Sequence, residues 1–367
     1  MRRVRAFILL MVLGGFVPSG QSANIMLDVM ESRDFYQAIP KQGPLAEQFT
    51  SVVNSLPKPI SIAQKEQIRV AMLLFGDVDS LENKSLLLSF KRRMRELAID
   101  YRLDIYIDDA EYGRNLKPFQ KMERDQPDYI VMTKMGAVQR RFLERFLRSN
   151  KSKVILYDFA SPFIHWIHHP PLMYIGFDQK KATKALASYL DRQLLPGSSI
   201  SALVLPAGYL GHARCDLFLD EMMRYGRHVS RIREVSDNRQ DAFDSARILI
   251  KENPTDFIFS CSQNISAGVV GALKEKNAAH NVQTNAWGLF SDGLAEPEQS
   301  RVKVSVLFMM DDLSIAVAEA IKLDLEGKNM PNLYVANSNL ISTELGYESV
   351  FLMVEQAYHY SVDLWQK

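Results

Sequence analysis

Cysteine is nearly missing from this 367-residue chain: Cys215 and Cys261 are the only two. That excludes a disulfide-dense scaffold and a multi-cysteine metal module. Excess charge of one sign is also missing, with 44 Lys+Arg against 43 Asp+Glu and a net charge of +1. Nothing in that balance draws the chain to nucleic acid. No phosphate loop is present, since Gly208-Tyr209-Leu210-Gly211 is too short a glycine signal. The pattern Gly-x-Ser-x-Gly does not occur. Beyond residue 23 no apolar run approaches the roughly 20 residues a membrane span needs.

The first 23 residues have the make-up of an export signal. Arg2, Arg3 and Arg5 form the charged start, Ala6–Val17 is mostly apolar, and Pro18, Gly20, Ser22 and Ala23 mark the exit. Cleavage after Ser22 or Ala23 is expected. The mature net charge would then be −2, and no cysteine stands near the cut to carry a lipid. The expected location is the periplasm.

Residues 24–67 have no strand–helix rhythm. One short helix over Leu45–Leu56, ended by Pro57 and Pro59, is expected to lie on the first lobe. From Ile68 onward, short apolar runs alternate with amphipathic segments. The strand candidates are Ile68–Phe75, Leu103–Ile107, Tyr129–Met132, Lys153–Tyr157, Met173–Phe177, Ala202–Leu205, Val229–Val235, Phe257–Ser260, Thr284–Leu289 and Val302–Phe308. Alternation of this kind specifies parallel sheets with right-handed crossovers. The expected fold is α/β, with two Rossmann-like lobes whose parallel sheets are joined by three crossings. Lobe one is assigned 68–160 plus about 290–330, and lobe two 161–289 plus about 331–367. The loop holding Pro162, Pro170 and Pro171 is taken as the first crossing.

Ligands of such lobes sit at the carboxyl ends of the strands. The polar groups there are Ser80 after the first strand, Asp158 after the fourth, Arg214 in lobe two, and Ser262, Gln263 and Asn264 after Phe257–Ser260. Trp287 lies in the following strand. A guanidinium, amides, hydroxyls and one large aromatic suit a small polyhydroxylated ligand. His165, His168 and His169 have no partners at metal-binding spacing, so neither metal, cofactor nor catalytic residue is nominated. Cys215 is expected at a helix start and Cys261 at a strand end, both facing the cleft, and reduced or only marginally oxidised.

Several stretches resemble the type I periplasmic binding proteins and, among them, the LuxP family of autoinducer-2 receptors. They are YIGFDQKKATKALA (174–187), FIFSCSQNISAGVVGAL (257–273), NAWG (285–288), MDDLSIAVAEAIKLDLEGKNMP (310–331) and DFYQAIP (34–40) in the leader. The resemblance implies lobe closure on a ligand and readout by a membrane sensor histidine kinase of the LuxQ type; a sugar-binding protein of an ABC importer is the alternative. The family's lobe-two arginine, tryptophan and first-lobe serine match Arg214, Trp287 and Ser80. Its serine–threonine–aspartate run is Ser262-Gln263-Asn264, and its crossing asparagine is Asp158. Its first-loop glutamine and tryptophan fall on Val78 and Asn83, and its second arginine on Phe308. With one arginine and one carboxylate in place of two arginines and one carboxylate, the cleft is expected to favour a neutral sugar-like ligand over a borate anion.

Overall fold

The computed structural model describes residues 28–108, 116–133, 137–149, 151–252, 255–275, 281–289, 300–342 and 344–365. The proposed export signal lies outside them.

Among the described residues, two helices precede the first strand: α1 (Ser32–Ala38) and α2 (Gln42–Val53). Phe35, Phe49 and Val53 are buried, so this leader is packed into the protein. Lobe one then runs β1 (Ile68–Phe75), α3 (Leu81–Glu96), β2 (Tyr101–Asp108), α4 (Lys117–Asp125), β3 (Tyr129–Met132), α5 (Ala137–Ser149), β4 (Lys153–Tyr157) and β5 (Met173–Phe177). The local signals are conventional. Ser80 caps α3 by accepting from the Asn83 amide, and Pro118 sits in the first turn of α4, where its missing N–H costs nothing.

Lobe two begins with α6 (Gln179–Gln193), capped by Asp178, and β6 (Ile200–Val204). A π-helical turn, Gly211–Asp216, leads into α7 (Leu217–Arg224). Then come β7 (Val229–Glu234), α8 (Arg239–Glu252), β8 (Phe257–Ser260), α9 (Gln263–Leu273), β9 (Gln283–Trp287) and β10 (Val302–Phe308). The chain returns through α10 (Met310–Leu325) and β11 (Leu333–Ala336), and ends in β12 (Ser338–Ser342), α11 (Tyr347–Ala357) and α12 (Val362–Trp365).

The sheets have the orders β11-β5-β4-β3-β1-β2 and β12-β10-β9-β8-β6-β7. Every pairing is parallel except that of β12 with β10. The chain changes lobes at Asp178, at Met309 and at Asn337, which makes three crossings.

Two expectations about boundaries are corrected by this topology. The loop with Pro162, Pro170 and Pro171 is no crossing, because Ile155, Leu156 and Tyr157 of β4 pair in parallel with Met173, Tyr174 and Ile175 of β5. The loop returns to the same sheet, so 161–177 belongs to lobe one. In the tail two strands fall in the other lobe from the one expected: β10 pairs with β9 in lobe two, and β11 pairs with β5 in lobe one, while α10 packs on α3 in lobe one and β12 joins the lobe-two sheet. The apolar run Leu333–Leu340 looks like one extended piece, yet it is two strands in two sheets, parted at Asn337.

Cys215 and Cys261 form a disulfide, contrary to the expectation of reduced thiols. Both are buried in the lobe-two core and do not face the cleft. Strands β6 and β8 are neighbours, and the π-helical turn folds back over their ends, bringing the two Cα atoms to 5.5 Å. Spacing along the chain carries no trace of that approach.

Candidate ligand cleft between the lobes

At the crossings the loops that leave the strands of the two lobes come together: Ser161 after β4 meets Tyr209 after β6 at 2.7 Å, and the space beside them is the candidate cleft. On the lobe-one side, Asp158 leaves β4 in the left-handed region, with φ 55°. The chain turns tightly there: the Phe159 amide bonds the Ile175 carbonyl at 2.9 Å. Gly176 makes that approach feasible, because a Cβ on it would stand 2.6 Å from the Phe159 nitrogen and 2.8 Å from that of Ala160. Asp158 is exposed and lies within electrostatic reach of Arg214. Surrounding protein displaces bulk water and pushes its carboxyl up to about 6, with Arg214 opposing the rise.

On the lobe-two side, the π-helical turn carries Arg214. Turns of this kind insert one residue into a helix and are frequent at functional sites. The Arg214 Nε donates to Gln179 Oε1 at 2.9 Å. Its guanidinium carbon lies 4.2 Å from the Trp287 ring centroid and 5.6 Å from that of Phe308. Among the described residues its two terminal nitrogens make no hydrogen bond, which leaves the fork available to a ligand. Burial lowers its pKa to about 10, against the opposing pull of Asp158, Asp237 and Tyr209, so it stays a cation at neutral pH.

Trp287 and Phe308 form the wall behind that cation, with nearly parallel rings 6.4 Å apart; Phe177 adds a ring 4.6 Å from Phe308. Trp287 is 1% exposed, and its Nε1 donates to the Ser260 carbonyl at 2.7 Å. It supports Arg214 more directly than it presents a free face to the cleft.

The remaining expected residues divide by what they hold. Ser262 caps α9 and donates to Asp237 Oδ1 at 2.6 Å, while Asn264 Nδ2 reaches the Asp237 carbonyl. Both fix the loop that brings Asp237 near Arg214. Gln263 is exposed, and its amide lies beside Gly288. Asn83 is buried and ties the loop after β1 by donating to the Phe75 and Asp77 carbonyls. Val78 packs against the core, and Ser80 is spent as a cap. These three shape the loop after β1 and offer a ligand little.

Sequence reasoning passed over Gln179 and Asp237. The signal for Gln179 was its place right after the capping Asp178, where a strand enters a helix. Asp237 gave none. Tyr209 joins the lobes: its hydroxyl is 2.7 Å from Ser161 Oγ, and its ring lies 5.1 Å from that of Phe159. The leader closes this flank. Val29 bridges Phe163, Ser32 donates to Asp178, and Glu31 pairs with Lys180 at 2.8 Å. Behind that strap is a cavity of about 140 Å3 lined from both lobes and the leader.

The histidine cluster stays outside the cleft, where His165 approaches Asp28 at 3.3 Å. Among the described residues no group of three or more His, Cys, Asp or Glu is placed to hold a metal ion.

Two six-stranded sheets joined by three crossings make up the two-lobed architecture of periplasmic binding proteins. No protein-family model matches the sequence. Among solved structures, the chain is similar to a periplasmic ribose ABC transporter protein from Conexibacter woesei, with TM-score 0.67 and 14% identity over 80% of this chain and 97% of that one. An ABC transporter periplasmic solute-binding protein from Actinobacillus succinogenes with bound D-allose gives TM-score 0.64 and 14% identity, covering 76% and 98%. The XylFII–LytSN complex gives 0.62 and 13%, covering 76% and 99%. Likeness at such identities establishes the fold.

Proposed function

We propose that this chain is an exported, periplasmic, non-enzymatic receptor that closes its two lobes around a small sugar-like ligand. The observation that carries the reading is Arg214: a desolvated cation on an aromatic wall, its terminal nitrogens unspent, across the cleft from the Asp158 carboxylate. Such a pair serves hydroxyl groups well. The guanidinium donates, the carboxylate accepts, and a neutral polyol satisfies both without adding charge. A borate diester would bring one negative charge to a cleft whose cation already faces a carboxylate, and Phe308 supplies no second guanidinium. The Cys215–Cys261 bridge supports an oxidising compartment. Unborated autoinducer-2, a furanose-sized polyol, remains within the proposed class.

For the partner, the likeness to solute-binding proteins of ABC transporters supports delivery to an importer. The resemblance of 174–187 and 257–273 to autoinducer-2 receptors supports the second reading, a membrane sensor histidine kinase. Neighbouring genes separate the two: permease and ATPase genes fit delivery, and a sensor kinase gene fits signalling. Thermal-shift screening of the oxidised protein against neutral pentoses, hexoses and autoinducer-2 tests the ligand class. Stabilisation by at least one neutral member is expected, and stabilisation only by anionic compounds would refute the reading.

A further inference from the structure

A second pocket, of about 530 Å3, lies where the end of the leader, α3, the C-terminal tail and two crossings meet. Met309 and Asn337, which line it, are themselves crossing residues, and the Met309 amide donates to the Asn337 carbonyl at 3.2 Å. The charges around it do not balance. Arg93 is fully engaged: it bonds Glu319 at 2.6 Å, the Tyr360 hydroxyl and the Ser55 carbonyl. Asp311 is satisfied by hydrogen bonds alone, from Ser89, the Ser361 hydroxyl and the Tyr360 and Ser361 amides. Asp312, half-buried on the pocket wall, has no hydrogen bond or ion pair among the described residues. Burial pushes its carboxyl up to about 6; His359 opposes the rise and Asp311 adds to it. The amides of Asn339 and Gln356 complete a lining rich in acceptors.

We propose that this hinge pocket is a second ligand site, for a small organic cation with amine donors, anchored on Asp312. A half-buried carboxylate with no partner is relieved by such a group, and the amide carbonyls take its remaining N–H bonds. The proposal is independent of what the cleft binds. Ligand-observed NMR titration with 1,4-diaminobutane, alongside the neutral isostere 1,4-butanediol, tests it on the wild type, Asp312→Asn and Gln356→Ala. Saturable binding of the diamine but not the diol is expected, weakened about tenfold or more by Asp312→Asn and less by Gln356→Ala. Should Asp312→Asn fold poorly, weakened diamine binding in Gln356→Ala, which alters an exposed side chain, still supports the site. No saturable binding of the diamine to the wild type would overturn it. So would equal binding of diamine and diol, or binding that neither substitution alters.

Discussion

At the floor of the cleft, Asp158 combines an unusual backbone with an unusual acidity. Its φ of 55° is tolerated by Asp and Asn better than by most residues, so Asp158→Asn should keep the turn and remove only the charge. Desolvation by the surrounding protein pushes the carboxyl up to about 6. A ligand whose hydroxyls donate to the ionised form binds at full strength above that pH. Below it, protonation competes, and affinity falls by up to about tenfold per pH unit. Calorimetry at pH 5 and pH 7.5 should show this loss in the wild type and little of it in Asp158→Asn. A second residue-scale expectation concerns Trp287. Its burial and its bond to Ser260 mean that Trp287→Ala costs stability, about 3–5 kcal/mol, as well as affinity. Denaturant unfolding checks it, and an unchanged midpoint would mean that the ring is not part of the core. Periodicity put Asp158 and Arg214 beyond strands and Trp287 within one, while Phe308 entered only through the family resemblance. It could not say that Trp287 faces Arg214 and the core, or that Ser262 and Asn83 are spent on their own loops. Those facts depend on which backbone groups tertiary contact leaves unpaired.

Among the elements, the π-helical turn after β6 is fixed from two directions. Gly211 fits it against Pro206, whose carbonyl would lie 2.6 Å from a Cβ there, and the disulfide pins it to the end of β8. The bridge immediately follows Arg214 and immediately precedes Ser262, so it holds both cleft loops. Its span of 46 residues gives a chain-entropy stabilisation of about 4 kcal/mol. Thiol labelling of the denatured, unreduced protein should detect no free cysteine. Reduction should lower the unfolding midpoint, whereas full labelling without reductant would contradict the bridge. Another element contact joins α3 to α10 through the buried pair Arg93–Glu319. Arg93→Ala leaves the buried Glu319 carboxylate with only the longer Lys322 contact at 3.8 Å and should cost about 3 kcal/mol, read as a shifted chemical-denaturation midpoint. Nearly all helices and strands were legible, because amphipathic and fully apolar runs carry their own period. Helix α1 was missed: it is only seven residues long, and Phe35 docks into lobe one although its neighbours are polar. Strand pairing was not legible either. A run of apolar residues does not state which sheet receives it, and so the Pro-rich loop and Leu333–Leu340 were misassigned.

Over the whole molecule, three crossings join the two lobes, and the leader spans the first of them. Phe35 and Tyr36 anchor the leader on lobe one, and Glu31 and Ser32 reach the start of α6. The α/β alternation made the two-lobe plan readable from the sequence, as it did the existence of three crossings. The ligand class rests on the physical balance in the cleft, one unspent guanidinium against one carboxylate. The most direct test of that balance is isothermal calorimetry on the oxidised protein with neutral sugars and with autoinducer-2, each with and without borate, using wild type and Arg214→Ala. The account predicts saturable binding of a neutral sugar-like compound that needs no borate, weakened about ten- to a hundredfold by Arg214→Ala. Binding that requires borate, or that survives the loss of Arg214 unchanged, would contradict it.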